Sequence, residues 1–131
     1  MEDRLGHFNF LILYLFSAIF SALVQLLVMS SMGNGVTPLV GASGAIAAVM
    51  GSYLYLFPHA ALYQTIIIPY PIKIPVTIYL GVWTILQFVG HAYSKSNVGW
   101  WAHLSGFFIG LGITWIWWQM RHRYSPLESS E

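Results

Sequence analysis

Hydrophobic residues fall into four long runs that are separated by short polar or turn-forming segments. The runs cover residues 8–29, 36–57, 75–90 and 98–118, and none of them contains Asp, Glu, Lys or Arg. A helix needs about 20 apolar residues to cross about 30 Å of hydrocarbon. The runs also lack the regular alternation with polar positions that barrel strands show. The pattern therefore predicts an all-α fold, a polytopic membrane helix bundle with four transmembrane helices, of which the third is short.

The segments between the runs carry turn signals. Residues 30–35 are Ser-Ser-Met-Gly-Asn-Gly, which predicts a turn between the first two helices. Residues 58–74 contain three prolines, which predicts a loop with an interfacial piece around residues 62–68. Residues 121–131 follow the last run and are predicted to form a tail. Residues 1–131 are accordingly interpreted as a single membrane domain.

Composition agrees with a lipid environment. Charged residues make up 7% of the chain and hydrophobic residues 57%, whereas a soluble domain carries about 25% charged residues. The chain contains no cysteine, which excludes disulfides and thiolate catalysis. A formal net charge of +1 without a basic run provides no electrostatic footprint for nucleic acid. Membrane lipid is therefore an expected partner, and nucleic acid is not.

The distribution of positive residues predicts the orientation. Four crossings place Arg4, Lys73, Arg121 and Arg123 on one side of the membrane and Lys95 on the other. Because positive residues favour the cytoplasmic side, both termini are predicted to be cytoplasmic. We expect a multi-pass protein of a bacterial-type plasma (inner) membrane.

Two side chains inside the runs could carry chemistry. Counted from the outer side, Ser43 is the eighth residue of the second run and His103 the sixth residue of the fourth. At about 1.5 Å of rise per residue, both lie roughly 10 Å below the outer surface. A serine hydroxyl is a weak nucleophile unless a base such as imidazole takes its proton. The matched depth predicts a catalytic Ser-His dyad, with backbone N–H groups at Ser43 as a candidate oxyanion site.

Small residues flank both candidates. Gly41 and Gly44 surround the serine, and Gly106 and Gly110 follow the histidine. Such residues let two membrane helices approach closely, and in most proteins they serve packing alone. A histidine within a span is costly, however, and points to a function.

Other functions fit the residues less well. A metal site through His91 and His103 would lack an Asp, Glu or Cys at comparable depth, so neither a metal nor a cofactor is expected. A transporter or channel subunit would be expected to place a charged residue inside a span, and none of the four runs has one.

The chain resembles the rhomboid family of intramembrane serine proteases. The resemblance depends on Gly-Ala-Ser-Gly-Ala-Ile at 41–46 and on Trp-Trp-Ala-His-Leu-Ser-Gly-Phe-Phe-Ile-Gly at 100–110. Shorter similarities lie at 2–6 (Glu-Asp-Arg-Leu-Gly), 55–58 (Tyr-Leu-Phe-Pro) and 83–87 (Trp-Thr-Ile-Leu-Gln). The resemblance implies that the four runs are helices three to six of a six-helix core. It also implies that Ser43 is the nucleophile, that His103 is its general base, and that the substrates are transmembrane segments of membrane proteins.

The sequence departs from the family pattern at two points. No residue matches the second-helix His and Asn that help to form the family's oxyanion hole, and Ala47 stands where an aromatic usually packs on the imidazole. We therefore expect a protease whose sequence is incomplete at its N-terminus, and we expect the 131-residue chain alone to be nearly inactive. The alternative is an inactive rhomboid-like protein that binds client transmembrane helices without cutting them. The oligomeric state stays open.

Overall fold

A computed structural model of the chain describes residues 1–32, 42–64, 72–93 and 99–124. The described residues are mainly helical, as predicted. The elements are α1 Glu2–Leu5, α2 His7–Ser31, α3 Ser43–Leu56, β1 Ala61–Gln64, β2 Ile72–Pro75, α4 Val76–Tyr93 and α5 Trp100–Tyr124. Helices α2 to α5 each lie within or across one of the four hydrophobic runs. Gly6 separates α1 from α2 with a φ of 83°, a conformation that glycine adopts without strain.

Two short strands occupy part of the segment that was predicted to be a loop. β1 and β2 pair antiparallel, with Ala61 opposite Pro75 and Gln64 opposite Ile72. Pro58 precedes β1 and Pro75 ends β2, so neither proline interrupts the pairing. The loop prediction was wrong for the seven strand residues that fall within 58–74, because proline was taken as evidence against strands, and the third run was predicted to begin at Pro75, which instead ends β2.

Helix α2 buries a stripe of mostly polar residues and exposes most of its large apolar ones. Its buried side chains recur at every fourth residue: Leu13, Ser17, Ser21 and Gln25. Large apolar side chains on the other faces are half or more exposed, among them Leu15, Phe16, Ile19, Leu23 and Leu27. This is the arrangement of membrane helices, which pack through small and polar residues and leave apolar faces outside.

By length and composition, one helix of the described residues qualifies as a membrane span, and it is α2. Helix α3 is also apolar but has 14 residues.

The helices pack with a definite direction. Gln25 of α2 bonds the backbone at Ala102, near the start of α5, while Leu13 of α2 and Thr114 of α5 line one groove further along. Helix α2 is therefore antiparallel to α5. A buried cluster of Ala47, Val76, Leu80 and Phe107 joins α3, α4 and α5. We call the end at which α2 and α4 finish and α3 and α5 begin the Ser43 end.

Candidate active site

Helices α3 and α5 touch backbone to backbone through glycines. A Cβ atom added to Gly106 would overlap the carbonyl oxygen of Gly44, and one added to Gly110 would overlap that of Ala48. A step of four residues along α5, from 106 to 110, matches a step of four residues along α3, from 44 to 48, so the two helices run parallel. In this register Ser43 is level with Ser105 and lies two residues, about 3 Å along the helix axis, from His103.

Ser43 stands at the very start of α3. It is the first residue of that helix and not its eighth, as the run of residues 36–57 had suggested; Gly41 lies outside the described residues. The first amide of α3 to bond within the helix is that of Ile46, to the carbonyl of Ala42. The preceding N–H groups, including that of Ser43, have no acceptor in the helix. Such groups can stabilise a developing oxyanion.

Ser43 is exposed and lines a recess of about 40 Å³ between α2, α3 and α5. Ser21 and Ala102 contribute to the same recess. A recess of this size can hold a water molecule. Ser43 is therefore accessible at the Ser43 end.

Ser43 and His103 lie on corresponding faces of their helices. Ser43 is one turn before Ala47, and His103 is one turn before Phe107. Residues four apart share a helix face, and Ala47 and Phe107 belong to the same buried cluster. Both candidate side chains therefore start on the same side of that cluster. The hydrogen bonds within 1–32, 42–64, 72–93 and 99–124 include none between Ser43 and His103, and the dyad stays a prediction.

The imidazole of His103 is held by residues of α4. Its Nδ1 lies 2.8 Å from Oε1 of Gln87. The amide nitrogen of Gln87 donates in turn to the carbonyl of Trp83, at 3.4 Å. The ring of Trp83 lies 6.0 Å from the imidazole, and that of Trp100 lies 6.3 Å away and nearly perpendicular. Residues of α4 thus help to fix the orientation of the His103 ring.

The aromatic neighbour of His103 comes from an unexpected helix. The family pattern expects it on α3, where this chain has Ala47. Trp83 of α4 instead packs near both His103 and Phe107, with ring centroids 6.0 and 5.9 Å apart. Ala47 itself is buried in one cluster with Phe107.

A second buried glutamine supports the start of α5. Oε1 of Gln25 accepts a hydrogen bond from the backbone N–H of Ala102 at 3.1 Å, so α2 caps α5 beside His103. Gln25 and Gln87 are 5% and 6% exposed. Sequence reasoning assigned neither of them to the site. One feature of the sequence could have indicated them: each is a neutral amide inside an apolar run. Membrane helices use such groups to form hydrogen bonds with one another.

A model of the rhomboid domain matches residues 1–120. The chain belongs to the rhomboid family. Rhomboids are integral membrane proteins and are generally serine proteases that act within the membrane. Comparisons with curated proteins and with solved structures found no match.

The other candidate residues of this rhomboid domain have contacts of their own. His91 is exposed and packs edge-on against Trp101, at 5.0 Å. Ser105 donates its hydroxyl to the carbonyl of Ala102 on its own helix, at 3.3 Å. Across the described parts of the rhomboid domain, no three His, Asp or Glu side chains lie close enough to hold a metal ion.

Proposed function

We propose that this rhomboid is an intramembrane serine protease in which Ser43 is the nucleophile and His103 the general base. The observation that carries the proposal is that Ser43 and His103 lie on matching helix faces. Each of them is one turn before a member of the same buried cluster, Ala47 or Phe107. The glycine contacts between α3 and α5 bring the two helix backbones within reach of each other's side chains. The proposed substrates are transmembrane segments of other membrane proteins.

Helices α2 to α5 are proposed to cross the membrane as four spans. Their outward faces support this, since large apolar side chains are more than half exposed on every one of them. Examples are Ile19 on α2, Ile46 on α3, Ile85 on α4 and Phe108 on α5. Exposed apolar area of this extent is rare on soluble proteins. The Ser43 end is proposed to face outward and both termini to face the cytoplasm of a bacterial-type plasma membrane.

The chemistry follows from the groups at the Ser43 end. Oγ of Ser43 attacks the carbonyl carbon of the scissile bond while His103 accepts the hydroxyl proton. The amides at the start of α3 stabilise the oxyanion that forms. When the C–N bond breaks, His103 returns the proton to the leaving nitrogen. A water molecule then gives a proton to His103 and attacks the acyl group. When the bond between the acyl carbon and Oγ breaks, His103 returns this proton to Oγ, which restores Ser43 and releases the carboxylic acid product.

Labelling by a fluorophosphonate tests the nucleophile without a known substrate. Although the 131-residue chain is expected to be nearly inactive as a protease, we expect slow phosphonylation of Ser43 in the purified chain during long incubation with excess reagent, as read by mass spectrometry of its peptides. Ser43→Ala and His103→Ala should both abolish labelling, because a positioned base contributes about 10²- to 10⁴-fold to such a step. Ser105→Ala is the matched control and should label normally. Labelling that survives in Ser43→Ala would contradict the proposal.

A non-catalytic rhomboid that binds client helices is the second candidate. It is favoured by one observation, the lack of a hydrogen bond between Ser43 and His103 among those of the described residues. A photo-crosslinking transmembrane peptide separates the two functions. Crosslinking to a chain that resists phosphonylation would support the binding function, whereas cleavage of the peptide that depends on Ser43 would support the protease.

The orientation can be tested with single cysteines, because the chain has none of its own. Met32 lies at the Ser43 end and His59 at the opposite end, and both are exposed. In intact cells, a membrane-impermeant maleimide should label Met32→Cys, and it should label His59→Cys only after the cells are permeabilised. The reverse pattern would show that the Ser43 end faces the cytoplasm.

A further inference from the structure

We infer that Gln87 is a positioning residue that keeps the proton of neutral His103 on Nδ1 and so leaves Nε2 free to take the proton of Ser43. The functional part of this inference, that Nε2 takes the proton of Ser43, rests on the proposed protease function. Its structural part, the choice of tautomer, concerns only His103 and Gln87.

The hydrogen bond between the two side chains has one possible direction. An amide oxygen accepts hydrogen bonds and cannot donate them. Since Oε1 of Gln87 is the atom 2.8 Å from Nδ1 of His103, the ring nitrogen must be the donor. A neutral imidazole carries a single N–H, so Nε2 then holds a lone pair.

The orientation of the amide is supported from its other end. Nε2 of Gln87 lies 3.4 Å from the carbonyl oxygen of Trp83, which can only accept. A reversed amide would place its oxygen against that carbonyl and its NH2 group against the imidazole. Gln87 is 6% exposed, so water has little access to substitute for either bond.

The imidazole has few other ways to turn. Trp83 and Trp100 flank it at 6.0 and 6.3 Å, one tilted and the other nearly perpendicular. Trp83 and Gln87 are one turn apart on α4, so a single helix face supplies both a ring neighbour and the hydrogen-bond acceptor. The base is thus oriented by α4, while the nucleophile stands on α3.

Gln25 provides a matched control for Gln87. Both are glutamines, both are about 95% buried, and both accept a hydrogen bond from the first turn of α5. Gln25 bonds the backbone N–H of Ala102 and has no hydrogen bond to the His103 ring. Loss of either amide should lower stability, but only the loss of Gln87 should change the tautomer.

The test is an NMR measurement on the full chain in detergent micelles with isotope-labelled histidine, at pH 8, above the usual imidazole pKa of about 6.5. The His103 signals are assigned by their absence from His103→Ala. The wild type and Gln25→Met should show the proton on Nδ1, and Gln87→Met should show a shift toward the Nε2–H form. Gln87→Glu keeps an acceptor oxygen and should restore the Nδ1–H form.

Phosphonylation of Ser43 provides the functional readout. Gln87→Met should react about tenfold more slowly than the wild type, the effect expected when one hydrogen bond is lost, and Gln87→Glu should recover most of the rate. Thermal unfolding of each variant checks that the chain is folded.

Two results would overturn the inference: an Nε2–H ring in the wild type, or an unchanged Nδ1–H ring in folded Gln87→Met. If the tautomer changes as expected while Ser43 never reacts in any variant, the role of Gln87 in orienting the ring is supported and the protease function is what fails.

Discussion

Helix α5 meets its two neighbours in different ways. Against α3 it packs through backbone, since a Cβ atom at Gly51, Gly106 or Gly110 would overlap a carbonyl of the facing helix. Against α4 it packs through side chains: the ring of Trp100 covers Gly90, and His103 bonds Gln87. We call the first contact the glycine interface and the second the side-chain interface.

The difference assigns separate tasks to the two interfaces. Backbone atoms in contact have no rotamers to adjust, so the glycine interface holds Ser43 at one position relative to α5. Side chains can turn by small amounts at a modest cost, so the side-chain interface can set the direction of the imidazole without moving a helix. A dyad needs both a fixed separation and a correctly aimed base.

The largest expected effect is that of Gly110→Ala. The new methyl would overlap the backbone of Ala48, so α3 and α5 must separate. Overpacking of this kind costs about 1–3 kcal/mol, and because only backbone atoms could give way here, we expect the upper part of that range, which exceeds the gain in helix propensity of about 1 kcal/mol. Thermal unfolding in detergent should therefore show a clearly lower midpoint.

The control for this change is Gly112→Ala, two residues along the same helix. A Cβ at Gly112 would meet no atom within 4 Å, and alanine favours a helix over glycine by about 1 kcal/mol. Its midpoint should be unchanged or higher. Equal losses in the two variants would show that α3 and α5 are not in backbone contact.

An intermediate effect is expected for Ser52→Ala, which tests the hydrogen bond within the glycine interface. The buried hydroxyl of Ser52 donates to the carbonyl of Gly110 at 2.9 Å. Its loss should cost about 0.5–1.5 kcal/mol. Ser30→Ala, which removes an exposed hydroxyl bonded within its own helix, should leave the midpoint unchanged; a similar loss there would refute a special role for Ser52.

The smallest effect is expected for Gly90→Ala, in the side-chain interface. The added Cβ would lie 2.6 Å from an atom of the Trp100 ring, and this side chain can turn away. Turning the ring costs about 0.5–1.5 kcal/mol, and the gain in helix propensity of about 1 kcal/mol offsets most of it. The midpoint should therefore stay close to that of Gly81→Ala, whose Cβ meets nothing within 4 Å. A loss as large as that of Gly110→Ala would show that both interfaces are equally rigid.

Much of the fold was predictable because apolar runs of bilayer length have few alternatives to helices. The family assignment was confirmed by the match over residues 1–120. The start of α3 was not predictable, since residues on both sides of Ser43 are equally apolar and no capping side chain marks the boundary. The β1–β2 pair was missed because the prolines of this segment were taken to indicate a loop.

The sequence by itself determined where apolar segments lie, because hydrophobicity is a property of each segment alone, and it predicted a similar depth for Ser43 and His103 from helical rise. Tertiary structure decided which partners these residues have. Gln87 is 16 positions from His103, and Gln25 is 77 positions from Ala102. A hydrogen bond depends on distance and direction between atoms on different helices, and those are set only when the helices have packed.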